Sequence, residues 1–139
     1  MDMMRNLTRL VEAFGPSGCE TEISQAIEEL AKPYVDEISR DTLGNLICRK
    51  KGSGPKVMFS AHMDSIGLVA THIDEKGFVR VGAVGGVSAK EVMYAPVRFR
   101  NGTRGLVCAK EGAELDKLKV SDLYLDIGAA GGGEAEKLV

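Results

Sequence analysis

Residues 57–64 decide the fold, and they read Val57-Met58-Phe59-Ser60-Ala61-His62-Met63-Asp64. The first five residues form a largely apolar run of strand length, typical of a strand covered on both faces of a sheet. A His-x-Asp unit follows the run directly. We therefore predict a central strand over residues 57–61, with polar side chains just beyond its carboxyl end.

Two helices are predicted before this strand. Apolar residues recur at helical spacing over residues 4–14, where Gly15-Pro16 ends the pattern, and again over residues 23–34. Ser17-Gly18-Cys19-Glu20 has the Ser-x-x-Glu form of a capping box. We predict that Ser17 and Glu20 cap the second helix.

Strand patterns fill the rest of the chain. Residues 35–39 and 46–49 flank a turn-forming segment, residues 41–45, and predict a hairpin. Beyond Asp64, helical periodicity gives way to short strand candidates separated by turn formers. These candidates are residues 66–72, 78–81, 92–99, 106–109 and 123–127. A last helix is predicted to begin near Glu134.

The order of these elements predicts an α/β fold class with two domains. Residues 1–65 are predicted to form a layered α/β domain. Residues 66–139 are predicted to form a small all-β, barrel-like domain that ends in a short helix.

Composition narrows the class of protein. Apolar residues make up 44% of the chain and charged residues 27%, which is typical of a packed globular protein. The formal net charge of -2 offers no basic patch for nucleic acid, and no apolar stretch approaches the roughly 18 to 20 residues that cross a bilayer. The start of the chain has no signal-peptide pattern, so we expect a cytoplasmic protein with no nucleic-acid or membrane partner.

The three cysteines form no CxxC pattern and are predicted to be reduced. Cys48 and Cys108 lie in strand-like runs and are predicted to be small buried hydrophobic residues.

The chain has two histidines, His62 and His72, and His62 is the candidate metal ligand. A loop after a buried strand can turn His62 and Asp64 toward the carboxyl edge of the sheet, where open α/β sheets keep their sites. Asp64 can then accept the second ring N–H of His62 and fix its tautomer. On spacing alone, a solvated turn remains open as an alternative. His72 is interpreted as an ordinary strand residue.

Three motifs in order resemble the glutamyl and deblocking aminopeptidases, metallopeptidase family forty-two. They are residues 16–20 (Pro-Ser-Gly-Cys-Glu), 41–45 (Asp-Thr-Leu-Gly-Asn) and 57–67, which include the His-x-Asp unit. Residues 95–98, 104–107 and 123–129 are similar to the inserted β domain of that family. The resemblance covers essentially the whole chain.

The resemblance implies a metal-dependent aminopeptidase that removes N-terminal residues from short peptides. It implies two divalent ions, zinc or cobalt, with His62 as a metal ligand and Asp64 as the catalytic-site carboxylate that supports it. It also implies that residues 1–65 are the N-terminal part of the catalytic α/β domain. Residues 66–139 would then be an inserted β domain that assembles subunits into dimers and dodecamers.

The resemblance has one large departure. In this family the other metal ligands and the general base follow the inserted domain, and the sequence here ends at Val139. One imidazole does not complete a zinc site, which needs about three protein ligands. We therefore expect a partial chain that is inactive alone, with no fully formed metal site. The alternatives are a non-catalytic oligomerisation module and a glycan-active relative, since some family members carry the name endoglucanase.

Overall fold

The structure, a computed structural model, describes residues 2–139. Contacts divide the chain into two compact units, one that ends at Ser65 and one that spans Ile66–Val139. Within residues 2–139, every helix is too short or too polar to span a bilayer.

The first unit combines helices with a two-stranded antiparallel hairpin. Its elements are α1 (Met3–Glu12), α2 (Thr21–Ala31), a 3-10 turn (Lys32–Tyr34), β1 (Glu37–Arg40) and β2 (Leu46–Arg49). Helix α2 contacts α1 and β2. Two helices and the hairpin therefore occur in the predicted order.

Side chains of α2 hold the hairpin in place. Ile23 and Ala26 are buried on one face of the helix, as helical periodicity predicts. The buried hydroxyl of Ser24 accepts a hydrogen bond from Arg40 Nε at 3.3 Å, and Arg40 Nη2 lies 2.5 Å from Glu28 Oε2. The end of β1 is thus tied to the helix by one guanidinium group.

The tight turn of the hairpin is built on Asp41. Its Oδ1 accepts hydrogen bonds from the backbone N–H groups of Leu43 at 3.0 Å and Asn45 at 2.9 Å. Its Oδ2 accepts a third bond from Asn45 Nδ2 at 2.7 Å. Gly44 has a φ of +87°, a conformation that glycine adopts without a steric penalty. These contacts explain why the turn formers at 41–45 specify a hairpin.

The prediction of a strand over residues 57–61 is wrong. The segment pairs with no strand in residues 2–139 and is exposed, with Met58 87% and Phe59 96% accessible. A strand is defined by hydrogen bonds to a neighbouring strand, which an apolar pattern cannot supply. A second prediction is also wrong: Cys48, in strand β2 of the hairpin, is exposed rather than buried.

The second unit contains one five-stranded sheet and short helices. Its strands are β3 (Gly67–Ile73), β4 (Val79–Val84), β5 (Pro96–Arg98), β6 (Arg104–Ala109) and β7 (Leu123–Asp126). Its helices are α3 (Ala89–Val92) and α4 (Gly132–Leu138), with 3-10 turns at Leu115–Lys117 and Val120–Asp122. The strand order is β3-β4-β7-β6-β5, and every neighbouring pair is antiparallel.

One face of this sheet forms the core of the second unit. Val79 and Val107 are fully buried, and Leu123 and Leu125 of β7 lie between them in the strand order. Val79 pairs with Leu125, which in turn pairs with Val107. Alternate residues of β4, β6 and β7 thus meet in one apolar layer.

Two features of this unit differ from the sequence prediction. Strands β3 and β5 remain at the edges of the sheet, so among the strands of residues 66–139 no closed barrel forms. Residues 92–99 are predicted as one strand, but Val92 is the last residue of α3 and β5 covers only Pro96–Arg98. Tyr94, with a φ of +62°, lies between the two elements. That left-handed residue turns the chain between the two elements.

Candidate functional site

The candidate site is organised by backbone pairing between the turn after α1 and the residue that follows Asp64. Ser65 N–H donates to the Gly15 carbonyl at 2.8 Å, and Ser17 N–H donates to the Ser65 carbonyl at 3.3 Å. Pro16 and Ser65 thereby form an isolated parallel bridge. The bridge brings the side chain of Ser17 to the His-x-Asp unit.

A tight turn sets the direction of Ser17. Cys19 N–H donates to the Pro16 carbonyl at 2.8 Å, and Gly18 within this turn has a φ of +88°. Gly18 N–H donates to Glu20 Oε1 at 2.6 Å. Gly18 is the third residue of this turn, the position at which a left-handed conformation favours glycine.

The prediction that Ser17 and Glu20 form a capping box is wrong. Helix α2 begins at Thr21 with Glu20 as its N-cap residue, and no side chain caps it. The hydroxyl of Ser17 instead donates to Asp64 Oδ2 at 2.5 Å. The spacing of Ser17 and Glu20 is that of a helix cap, but the hydroxyl of Ser17 bonds the distant carboxylate of Asp64 instead of the N-terminus of α2.

His62 and Asp64 are in direct contact. His62 Nδ1 lies 3.0 Å from Asp64 Oδ1 and 3.1 Å from the Asp64 backbone oxygen. When Nδ1 carries the proton it donates to both oxygens, and Nε2 is then the ring nitrogen with a lone pair. The imidazole is 86% exposed and Asp64 is 37% exposed.

Two hydrogen bonds favour the ionised form of Asp64. The pKa of this carboxyl is lowered first by the hydroxyl of Ser17 and second by the imidazole of His62, while partial desolvation acts in the opposite direction. Each of the two carboxylate oxygens has its own donor. The arrangement is a linear Ser–Asp–His chain with the carboxylate in the middle, unlike a nucleophilic triad, where the histidine is central.

His62 also borders an apolar groove. Leu10 and Val11 of α1 and Ile23 and Ile27 of α2 line it together with Met63. A polar nitrogen beside an apolar groove is an arrangement that suits a ligand with an apolar side chain.

The donor set fits one metal ligand and the carboxylate that orients it. Histidine ligands commonly donate their second ring N–H to a carboxylate, as His62 is placed to do. In the part of the chain that the structure describes, no group of three or more His, Cys, Asp or Glu residues is placed to hold an ion. These residues therefore fit part of a metal site, and a full set of about three ligands has to draw on other groups.

His72 and the acidic residues Glu28 and Glu29 of α2 are not part of this site. His72 is an exposed residue of β3 opposite Arg80, so its interpretation as a strand residue is confirmed. Glu28 and Glu29 form surface ion pairs with Arg40 and Arg9. The sequence patterns did not predict that Ser17 belongs to this site. The available signal was that Ser17, like His62, lies in one of the three motifs that resemble the family.

The comparisons with known proteins agree on one family. The family model described as M42 glutamyl aminopeptidase matches residues 44–139. The lysyl aminopeptidase of Pyrococcus furiosus is 34% identical over 146 residues, covering 95% of this chain and 41% of the relative. A protein of Acetivibrio thermocellus, provisionally named an aminopeptidase, is 49% identical over 139 residues, covering 99% of this chain and 41% of the relative.

Solved structures give the same result. The aminopeptidase APDkam598 of Desulfurococcus kamchatkensis superposes with a TM-score of 0.85 at 35% identity, over 96% of this chain and 39% of that one. The TET1 peptidase of Pyrococcus horikoshii superposes with a TM-score of 0.82 at 33% identity, over 99% of this chain and 44% of that one. The chain thus spans about two fifths of the length of the curated relatives it matches. The predicted resemblance is confirmed, and the chain belongs to the M42 glutamyl aminopeptidase family.

Proposed function

We propose that this chain supplies part of the active site of a metal-dependent aminopeptidase that removes N-terminal residues from short peptides. The observation that carries the proposal is the contact between His62 Nδ1 and Asp64 Oδ1 at 3.0 Å. In this proposal His62 binds a divalent ion through Nε2. Asp64 holds the imidazole in the tautomer that leaves Nε2 free of a proton.

The electrostatics of the contact support this assignment. An ionised Asp64 stabilises a proton on Nδ1 and raises the electron density of the ring, which strengthens Nε2 as a ligand. The pKa of Asp64 is lowered first by the hydroxyl of Ser17 and then by the imidazole of His62, so both contacts favour the charged carboxylate. The groove lined by Leu10 and Ile23 beside His62 offers apolar contact to a side chain of the substrate.

The ions we propose are two zinc or cobalt ions. When bound, they supply a polarised peptide carbonyl and an acidified water at neutral pH. Residues 2–139 contribute one imidazole and its supporting carboxylate, so the other ligands and the general base belong to groups outside this set. It follows that residues 1–139 alone should have no peptidase activity.

An activity assay on two lengths of polypeptide tests the proposal. Residues 1–139, and the product of the uninterrupted reading frame that contains them, are each incubated with leucine p-nitroanilide and zinc or cobalt. We expect release of p-nitroaniline only from a product that supplies the missing ligands. In an active product His62→Ala should abolish release, and His72→Ala, a matched change of the other histidine, should not.

We also propose that residues 66–139 form an assembly domain. The Pyrococcus horikoshii relative assembles into a tetrahedron or a large octahedral shell. Separately from residues 66–139, the first unit leaves the adjacent apolar side chains of Val57, Met58 and Phe59 exposed, a second feature that favours association of the chain. Analytical ultracentrifugation of residues 1–139 tests whether the chain associates: we expect an oligomer, and a folded monomer at micromolar concentration would contradict the assembly role.

The same experiments separate catalysis from assembly alone. If the longest product of the reading frame forms oligomers and releases no amino acid under any metal condition, the chain acts as an interaction module. If it forms oligomers and its activity depends on His62, the aminopeptidase proposal holds.

A further inference from the structure

The proposed function assigns no role to Ser17, yet the hydroxyl of Ser17 is hydrogen-bonded to Asp64. Its Oγ lies 2.5 Å from Asp64 Oδ2, while His62 Nδ1 lies 3.0 Å from Asp64 Oδ1. An ionised carboxylate only accepts hydrogen bonds, so the hydroxyl of Ser17 is the donor in this contact. The serine and the histidine therefore hold opposite oxygens of the same carboxylate.

We propose that Ser17 is a positioning residue for the metal-binding histidine. Its hydroxyl fixes the rotation of the Asp64 carboxylate, so that the second oxygen faces His62 Nδ1 and the imidazole presents Nε2. This inference rests on the proposed role of His62.

The carboxylate needs such a partner because its own torsion is soft. The terminal torsion of an aspartate has a broad energy profile with no sharp staggered minimum. His62 is 86% exposed, so water competes for both of its ring nitrogens. The contact with His62 alone is therefore a weak restraint on Asp64, and a second bond on the other oxygen removes the rotational freedom that remains.

The backbone explains why Ser17 can act as this restraint. The bridge between Pro16 and Ser65 anchors the residues next to Ser17 and Asp64 to each other through two hydrogen bonds. Donor and acceptor thus sit on backbone segments whose separation is fixed. Gly15 is buried against Ile23, which holds the start of this turn on α2. Ser17 is hence placed by packing rather than by its own exposed side chain.

The tautomer of His62 is the direct readout. Nitrogen-15 chemical shifts of both imidazoles are measured in residues 1–139 at about pH 8.5, where ordinary imidazoles are neutral. His72 is an exposed strand residue of the second unit and serves as the internal reference. We expect the Nδ1–H form of His62 to predominate in the unsubstituted chain.

Three variants separate positioning from a merely structural role. In Ser17→Ala we expect the ratio of the Nδ1–H to the Nε2–H form of His62 to fall about 3- to 10-fold, because the freed carboxylate of Asp64 spends less time bonded to Nδ1 and the Asp64–His62 hydrogen bond is partly lost. Ser17→Thr keeps the hydroxyl and should restore the ratio. Ser17→Cys, which keeps the size with a weaker donor, should give an intermediate value and replaces the alanine variant if that one does not fold.

The outcomes distinguish this inference from the proposed function. If Ser17→Ala leaves the ratio unchanged while Asp64→Ala lowers it, Ser17 has no positioning role and the His62–Asp64 pair stands. If Ser17→Thr behaves like Ser17→Ala, the hydroxyl is not the cause and the inference is also overturned. If neither Asp64→Ala nor Ser17→Ala changes the ratio, the Asp64 backbone oxygen, 3.1 Å from Nδ1, sets the tautomer, and the roles proposed for the side chains of Ser17 and Asp64 both fail.

Discussion

Gly15 lies so close to Ile23 that a β-carbon on residue 15 would stand 2.5 Å from Ile23 Cγ2. Ile23 is 5% exposed, so its side chain has little free space into which to move. The requirement at residue 15 is therefore one of space: only glycine lets the turn approach the helix. The same turn carries Ser17 to Asp64, so packing of the first unit and geometry of the candidate site depend on one residue.

Gly15→Ala should destabilise the first unit by about 1–3 kcal/mol, because the added methyl group overpacks a buried contact. In an Ile23→Ala background the same change should cost less, since the clashing methyl group is gone. Urea unfolding followed by circular dichroism measures all three variants. Gly54→Ala is the control, because a β-carbon there meets no atom within 4 Å. A cost for Gly15→Ala equal to that of Gly54→Ala would contradict the clash.

Asn45→Ala should raise the pKa of Asp41 toward its ordinary value of 3.8. The side chain of Asn45 is the largest cause of the lowered pKa of Asp41, with three backbone N–H groups acting in the same direction and desolvation acting against them. Carbon-13 NMR of the Asp41 carboxyl measures the change. Asp64, in the same unit, serves as a reference carboxyl whose titration should not move. Identical Asp41 titrations in both proteins would rule out the Asn45 contact.

The lowered pKa of Asp41 also sets a direction for stability with pH. A carboxyl with a lower pKa in the folded state stabilises that state at pH values above 3.8, and this contribution is lost as the pH falls through its folded pKa. Asp41→Asn should therefore flatten the acid limb of a plot of midpoint temperature against pH below about pH 5. An unchanged acid limb would show that the turn contributes nothing to acid sensitivity.

Leu123→Ala should destabilise the second unit by about 2–5 kcal/mol, the usual cost of a cavity in a core. Leu123 is 1% exposed and packs in the layer that includes Val79 and Val107. Leu115→Ala makes the same chemical change in the same unit at a residue that is 50% exposed, and it should cost under about 1 kcal/mol. Comparable losses of midpoint denaturant concentration for both variants would refute the assigned core.

Local patterns predicted much of this fold because their causes are local. Helix α2 follows from the periodic burial of Ile23 and Ala26, and the hairpin turn follows from the side chain of Asp41 bonding two and four residues ahead. The strands of the second unit follow from alternation, as in β7, where Leu123 and Leu125 are buried and Tyr124 is not. In each case the deciding contact lies within a few residues or on one face of one element.

The errors concern contacts between distant residues. The apolar run at 57–61 has the pattern of a strand, but a strand also needs a neighbour, and residues 2–139 place none beside it. Ser17 has the spacing of a helix cap, yet its partner Asp64 is 47 residues away. The His62–Asp64 contact was predictable because the two residues are only two positions apart. The contact of Ser17 with Asp64 was not, because it depends on the Pro16–Ser65 bridge between distant segments.

Zinc titration of residues 1–139 tests the central claim, that His62 is a metal ligand, most directly. Competition with a chromophoric chelator gives the dissociation constant for the unsubstituted chain, His62→Ala and His72→Ala. We expect weak binding by the unsubstituted chain and by His72→Ala, and binding at least about tenfold weaker by His62→Ala. Equal affinities of all three proteins for zinc would contradict the assignment of His62 to the metal.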